Sequence, residues 1–510
     1  MPTPNSKQPD AQDFEKVAQP YLDVIKTHFK EQGKFHISDV VLSTSKNGTE
    51  EELQFVNLVQ EGGGVLGIAL VGYTYILEEL GVRFLRLAGT SAGAINTMLM
   101  ACINKKEDKK SSIILDILAK KNLFDLVDGH WLARSCIKLF VQDKNSIRKI
   151  FGWLIGILLT LLVLYLLNFY LLGRNPYSGF AAIIVITSSI LFLIVISAGF
   201  WLRHLLKRFD RNGYGINPGD NFTKWITSIL RNPDLGPVIN NVTDLDNHLR
   251  TVPAIMHRDG RDVSDLRNPK KGDEFITLVS SDITSQIKVE FPKMWRLYWK
   301  DPARVNPAEF VRASMSIPIF FETFKVENIP SEEVRDDWER ILNLPKGARI
   351  PKRAMFVDGG LISNFPINIF FNPNLDKPRL PTLGILLNDA EFRPKEKFNN
   401  VISFIFSIFN TVRIHYDKDF LIKHNDFERT IGRIDVKKFN WLNFNINAAE
   451  QLALFRKGVE AATEFLLGTD AVLKIPGNTI DLKLSKRAAF NWPDYRDGRP
   501  DVVEKLREKL

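Results

Sequence analysis

The spacing of apolar residues predicts two strand–helix units near the start of the chain. Residues 53–60, LQFVNLVQ, form an apolar run typical of a strand, and three glycines follow. The next apolar positions recur with helical spacing and end at Gly81. VRFLRLAG, 82–89, predicts a second strand, and TSAGAINTMLMACINK begins another helix. This repeated order of strand, glycine turn and helix predicts a parallel α/β sheet.

The same pattern continues after residue 212. FITLVSSDIT (275–284), AMFVDGG (354–360) and PTLGILLND (381–389) are strand candidates, and residues 396–467 are mostly helical in pattern. The polar residues 1–50 contain one amphipathic helix near 14–30, which we expect Pro20 to interrupt.

Two long hydrophobic runs separate these regions. Lys149 and Arg174 enclose 24 uncharged residues, and Arg174 and Arg203 enclose 28. At about 1.5 Å per residue, each run could cross a hydrocarbon core of roughly 30 Å. We therefore predict a transmembrane hairpin at 144–211, with helices at about 151–172 and 180–202. A buried hairpin inside a soluble protein is the alternative.

Basic residues flank the hairpin on both sides, whereas its short connection holds only Arg174. The positive-inside rule then places both flanks in the cytoplasm. Because both flanks lie on one side, the segments before and after the hairpin could form one domain.

The net charge of +9 favours an anionic partner. The hydrophobic runs make that partner a membrane and not nucleic acid. In residues 289–302, aromatic side chains alternate with cations, which suits either a membrane interface or an aromatic core with solvated cations. The two cysteines, Cys102 and Cys136, suit a reducing compartment.

The second strand leads into Gly89-Thr90-Ser91-Ala92-Gly93, which is G-x-S-x-G at a strand-to-helix turn. A sharp turn there exposes a serine oxygen above the sheet, and the helix N-terminus favours developing negative charge. Ser91 is therefore a candidate nucleophile, although a tight structural turn would give the same pattern.

The glycines at 62, 63, 64 and 67 lie one strand–helix–strand unit before Ser91. Two adjacent parallel strands would place the first glycine turn beside Ser91, where its N–H groups could form an oxyanion hole. A dinucleotide site would require an acidic residue at the end of the second strand. That strand ends Leu87-Ala88-Gly89, so we prefer the oxyanion hole.

A serine nucleophile requires a base. Asp358 ends an apolar strand just before Gly359 and Gly360, which is a typical position for a site residue. A Ser-Asp-His arrangement would instead require His415 or His424, both within a charged helical segment.

EGGGVLG at 61–67, GTSAG at 89–93 and DGG at 358–360 resemble, in this order, the motifs of the patatin-like phospholipase family. The stretches GINPGDNFTKWI, SDITSQIKVEF and ASMSIPIFF also look similar. The resemblance covers roughly residues 53–390.

The resemblance implies a three-layer α/β/α fold with a mainly parallel sheet, here interrupted by the hairpin. It implies a Ser91–Asp358 dyad, an oxyanion hole at Gly62, Gly63 and Gly64, and no metal or cofactor. Gly67, Gly89, Gly93, Gly359 and Gly360 complete the motifs. Many members carry Arg or Lys where Leu66 stands here, so the head-group preference is left open.

These inferences divide the chain into an N-terminal extension (1–50), a catalytic domain in two parts (51–143 and 212–395), the hairpin (144–211) and a helical C-terminal region (396–510). We expect a membrane-anchored hydrolase that releases fatty acids from phospholipids or lysophospholipids. A triacylglycerol lipase of the same family, a Ser-Asp-His esterase and a non-catalytic lipid-binding protein are the alternatives. The sequence does not predict the oligomeric state.

Overall fold

A computed structural model gives the fold. It describes residues 8–33, 35–46, 49–129, parts of 152–170, 179–211, 213–269, 274–372, 375, 377–387, 401–469 and 488–507.

The chain divides into two compact units. The larger unit comprises Met1–Val127, Gly219–Pro318 and Thr323–Leu510, and the smaller comprises Asp128–Pro218 and Ile319–Glu322. Within the smaller unit, strands β4 (Gly215–Asn217) and β8 (Ile319–Phe321) pair in parallel.

Within the described residues, ten strands of the larger unit form one sheet. They are β1 (Val40–Lys46), β2 (Thr49–Gln60), β3 (Val82–Thr90), β5 (Met256–His257), β6 (Ile276–Asp282), β7 (Ile287–Phe291), β9 (Phe324–Glu327), β10 (Arg353–Asp358), β11 (Thr382–Leu386) and β12 (Ile431–Arg433). The main order is β12-β11-β2-β3-β6-β10-β9. The first five strands of this order are parallel, whereas β10 and β9 are antiparallel to their neighbours.

Helices occur in both units among the described residues. They are α1 (Ala11–Gln32), α2 (Gly67–Glu79), α3 (Ala92–Cys102), α4 (Ser111–Lys120), α5 (Gly179–Arg211), α6 (Asp220–Leu230), α7 (Val242–Leu249), α8 (Ser264–Arg267), α9 (Ala308–Ser314), α10 (Arg335–Leu342), α11 (Val401–Lys423), α12 (Ala448–Leu467) and α13 (Trp492–Arg507). Helix α2 packs against α12, and α3 packs against β3 and β6.

The predicted α/β fold with a mainly parallel sheet is confirmed, and the structure shows that the sheet is mixed. The strand candidates at 53–60, 82–89, 275–284, 354–360 and 381–389 correspond to β2, β3, β6, β10 and β11. Their apolar runs are buried, which is why the signal is clear in the sequence.

The expected interruption at Pro20 is wrong, because α1 continues through this residue. Proline removes one N–H donor from a helix. One face of α1, which includes Leu22 and Ile25, is buried, and Phe14 packs edge-on against Phe455 of α12. We attribute the continuous helix to this packing, which compensates for the missing bond.

The predicted hairpin is not supported by the structure. In the part of the chain that the structure describes, no helix is both long enough and apolar enough to cross a membrane. The second run falls on α5, and part of the first run lies outside the described residues.

The aromatic stretch 289–302 belongs to the core. Phe291, Trp295 and Tyr298 are buried, and Phe291 stacks on Phe310 with ring centroids 4.6 Å apart. The cations between them, Lys293 and Arg296, are exposed. The core alternative for this stretch is therefore the correct one.

Candidate active site

Ser91 occupies a strained turn between β3 and α3. Its φ of 51° and ψ of −117° lie in a region that residues with a side chain rarely adopt. The two flanking glycines make the turn possible. A Cβ on Gly89 would lie 2.4 Å from the Gly93 carbonyl oxygen, and one on Gly93 would lie 2.3 Å from the Gln60 carbonyl oxygen. The geometry is that of a nucleophile elbow.

Helix α9 holds the elbow through a hydrogen bond that its last residue, Ser314, accepts. The N–H of Ser91 donates to Ser314 Oγ at 3.0 Å, and that hydroxyl donates to the Val279 carbonyl at 2.6 Å. Ser91 itself is only 3% exposed.

Asp358 ends β10 and is also buried. Its Oδ1 accepts from the Gly360 N–H at 2.7 Å, and its own N–H donates to the Ser316 carbonyl at 2.8 Å. A Cβ on Gly359 would lie 2.1 Å from the Val279 carbonyl oxygen, so this turn lies directly on β6.

Ser91 and Asp358 lie at the ends of two strands, β3 and β10, that pair with opposite sides of β6. Thr90 pairs with Val279 on one side of β6, and Asp358 pairs with Ser280 on the other. Neighbouring strands lie about 4.8 Å apart, so Thr90 and Asp358 lie on the order of 10 Å apart across β6. The segment Ser314–Ser316 contacts both residues of the predicted dyad.

The glycine loop lies beside the elbow. A Cβ on Gly62 would lie 3.0 Å from Ser91 Cβ and 2.6 Å from Asn364 Oδ1. The N–H of Gly62 donates to the Asn364 carbonyl at 3.0 Å. Among the described residues, the N–H groups of Gly63 and Gly64 donate to no protein acceptor. Two of the three predicted donors are therefore available to a ligand.

Gly64 is the most restricted position of this loop. It has φ of +55°, and a Cβ there would lie 2.2 Å from the Trp441 carbonyl oxygen. The same carbonyl accepts from the N–H of Val65 at 3.1 Å. Leu66 is buried and packs beside Gly63.

Asn364 and Glu61, which the sequence analysis did not identify, link the loops. Asn364 Nδ2 donates to Glu61 Oε1 at 2.8 Å and to the Gly62 carbonyl at 3.1 Å. Glu61 Oε2 accepts from the Leu387 N–H at 2.6 Å. Both residues lie within four positions of a glycine motif, which is the signal that could have identified them.

An apolar cavity begins at the same place. Its volume is about 50 Å³, and Gly64 and Ala92 form part of its wall. The rest of its wall is mainly apolar side chains, including Ile95, Leu118, Leu126, Phe222 and Trp225. The apolar lining suits a hydrocarbon group, and Gly64 and Ala92 place part of the wall beside the elbow.

The two histidines considered as bases have other surroundings. His415 is exposed on α11. The ring of His424 packs against Phe371 and Phe420, with centroids 4.4 and 4.7 Å away, and burial lowers its pKa. These contacts describe a histidine in aromatic packing.

An α/β fold with a strained serine elbow, a glycine loop beside it and a buried aspartate after a neighbouring strand defines a class of serine acyl hydrolases. The family model described as "Patatin-like phospholipase" matches residues 58–371. The chain belongs to this family, whose members are generally lipid acyl hydrolases.

Two individual proteins are similar to this chain. One, "Uncharacterized protein YqhO" of Bacillus subtilis (strain 168), is 25% identical over 414 residues, which is 81% of this chain and 98% of the relative. The other is VipD from Legionella pneumophila, a solved structure that is 13% identical. That comparison covers 87% of this chain and 72% of VipD with a TM-score of 0.27.

Proposed function

We propose that the protein is a serine hydrolase that releases fatty acids from phospholipids or lysophospholipids. The observation that carries this proposal is the apolar cavity that reaches Gly64 and Ala92, beside the Ser91 elbow. A hydrocarbon chain in this cavity would bring its ester carbonyl to Ser91.

In the proposed mechanism, Asp358 accepts the hydroxyl proton as Ser91 Oγ attacks the carbonyl carbon. The negative charge moves to the carbonyl oxygen, where the N–H groups of Gly63 and Gly64 and the N-terminus of α3 stabilise it. The Gly62 N–H already binds Asn364, so we do not assign it this role.

The tetrahedral intermediate then collapses. The C–O bond to the lysolipid or glycerol part breaks, and the leaving oxygen takes the proton from Asp358. Water next attacks the acyl-serine while Asp358 accepts its proton. The fatty acid leaves, and the proton returns to Ser91.

We also propose that the runs at 151–172 and 180–202 hold the protein at a membrane, with the catalytic domain on the cytoplasmic side. Support comes from the part of α5 whose side chains the structure describes, where most apolar side chains are exposed, among them Ile183, Ile186, Phe192 and Phe200. The test is flotation with phospholipid vesicles, comparing the full chain with a variant in which a Gly-Ser linker replaces 144–211. Equal flotation of both proteins would contradict this part of the proposal.

The activity is tested with a panel of phospholipids, lysophospholipids, triacylglycerols and simple esters, analysed by mass spectrometry. We expect a fatty acid product that the wild type forms and that Ser91→Ala and Asp358→Asn do not. Asp336→Asn, on an exposed position of α10, is the control for the aspartate change. If His415→Ala or His424→Ala removes activity and Asp358→Asn does not, the Ser-Asp-His alternative is correct. If none of the lipids gives a product that depends on Ser91, the proposal that the protein is an enzyme is refuted.

A further inference from the structure

Helix α11 brings a buried carboxylate to the segment that follows the DGG motif. Asp417 is 8% exposed, and its side chain accepts three hydrogen bonds from consecutive residues. Oδ1 accepts from Ser363 Oγ at 2.7 Å, and Oδ2 accepts from the N–H groups of Asn364 and Phe365, both at 2.8 Å. One side chain therefore fixes the conformation of residues 363–365.

This segment is in turn bonded to both halves of the proposed site. The Ser363 carbonyl accepts from Thr90 Oγ1 at 3.0 Å, and Thr90 immediately precedes Ser91. The Asn364 carbonyl accepts from the Gly62 N–H at 3.0 Å, and Asn364 Nδ2 donates to the Gly62 carbonyl at 3.1 Å.

Two glycines leave room for the side chain of Asn364. A Cβ on either Gly62 or Gly360 would lie 2.6 Å from Asn364 Oδ1. The glycine loop and the DGG turn thus both pack closely against the side chain of Asn364. A shift of residues 363–365 would be transmitted to Gly62 and to Thr90.

We propose that Asp417 is a positioning residue that keeps the oxyanion loop and the Ser91 elbow in register through Ser363 and Asn364. This inference rests on the proposed acyl hydrolase function. It adds a residue that is 59 positions beyond Asp358 and outside all three motifs.

The charge on Asp417 matters because only an ionised carboxylate has all its lone pairs free to accept. Burial raises its pKa to about 6, against the opposing effect of the bonds from Ser363, Phe365 and Asn364 and of the charge on Lys288. Lys288, from β7, also pairs with Glu290 at 2.9 Å and lies over the Tyr416 ring at 5.2 Å. Lys288 is the charged group that acts on Asp417 from β7. Below pH about 6, protonation turns one acceptor oxygen into a donor and weakens the hold on residues 363–365.

The test compares Asp417→Asn, Ser363→Ala and the control Asp419→Asn, using the lipid that the wild type hydrolyses. Asp419 lies two positions further along the same helix, where it pairs with Lys423 and does not reach the segment. We expect Asp417→Asn to lower kcat by about 10-fold or more with little change in KM, because a displaced oxyanion loop affects the transition state more than substrate binding. Asp419→Asn should behave as the wild type.

The pH profile separates positioning from general stability. Ser363→Ala removes a bond that lowers the pKa of Asp417, so the acid limb of kcat should move to higher pH. This readout remains decisive even if Asp417→Asn does not fold. An unmoved limb in Ser363→Ala, or a wild-type kcat in Asp417→Asn, would overturn the inference. If the wild type forms no Ser91-dependent product, the proposed function itself fails instead.

Discussion

The backbone N–H of Ser91 donates to the hydroxyl of Ser314, 3.0 Å away, and the same hydroxyl donates to the Val279 carbonyl at 2.6 Å. Ser314 therefore joins the elbow to β6, the strand on whose other side Asp358 pairs. A turn with φ of 51° at a serine persists only where its surroundings hold it. Ser314 supplies one of these restraints.

Replacing Ser314 by alanine should lower kcat strongly and lower thermal stability only modestly. The change leaves the buried N–H of Ser91 without this acceptor, at a cost of about 1–3 kcal/mol. We expect kcat to fall by about 10-fold or more, with a modest loss of thermal stability, as measured by steady-state kinetics and calorimetry.

Ser111→Ala is the matched control. Ser111 is equally buried, and its hydroxyl bonds to Thr74 at 2.9 Å between α2 and α4. It should lose comparable stability and keep its kcat. Equal kcat values for the two variants would show that Ser314 does not position the elbow.

Gly64→Ala tests the oxyanion loop. Gly64 has a left-handed backbone conformation, which alanine disfavours. The new Cβ would also overlap the Trp441 carbonyl, so the loop must move. The loss of one oxyanion donor typically lowers the rate by about 10²–10³, and we expect a decrease of this order in kcat.

The control is Gly498→Ala, at a helical position where a Cβ would meet nothing within 4 Å. It should keep its activity and gain stability of up to about 1 kcal/mol. A Gly64→Ala enzyme with near wild-type kcat would exclude this loop as the oxyanion hole.

The parallel centre of the sheet could be predicted because its strands carry continuous apolar runs and end in glycine turns. β2 and β3 have this pattern, and the structure places them side by side. Strand β12, only three residues long and within a region that reads as helical, has no such signal. Its pairing with β11 is a long-range contact that local pattern does not encode.

The site divides in the same way. Ser91, Asp358 and the glycine loop were predicted because steric constraints on sharp turns leave a mark in the sequence, namely small residues around one polar residue. Asp417 leaves none, since it is one of several charged residues on a helix and lies 54 residues from Ser363. Ser314 lies within the stretch ASMSIPIFF, but nothing in that pattern distinguishes it from Ser316.

The cavity predicts a dependence on acyl-chain length. Leu118 of α4 forms part of its wall, on a different element from Gly64 and Ala92 at the elbow. Leu118→Trp should fill part of the cavity and lower kcat/KM for long acyl esters by about 10-fold or more, with a smaller effect on short ones, since each buried CH₂ contributes about 0.8 kcal/mol. The measurement is kcat/KM for p-nitrophenyl esters of increasing length. Leu42→Trp, on strand β1 and outside the cavity wall, should leave the length profile unchanged.

The surroundings of Asp39 predict how the free energy of unfolding depends on pH. It is buried, and it accepts from Trp492 Nε1 at 2.9 Å, from Arg496 at 2.7 Å and from His36 at 3.0 Å. Burial alone would raise its pKa, but the bonds from His36, Arg496 and Trp492 outweigh it and hold the pKa well below the ordinary 3.8. The ionised carboxylate thus ties β1 to α13.

Because the folded-state pKa is lowered, this contribution is present above pH about 4 and disappears as the pH falls towards the folded pKa. Asp39→Asn should therefore lower the free energy of unfolding at pH 7 by about 1–3 kcal/mol, and its difference from the wild type should shrink between pH 4 and pH 3. Thermal unfolding followed by circular dichroism at each pH measures this, with the exposed Asp23→Asn as the control. A difference that stays constant down to pH 3 would mean that packing, and not the charge of Asp39, connects the two elements.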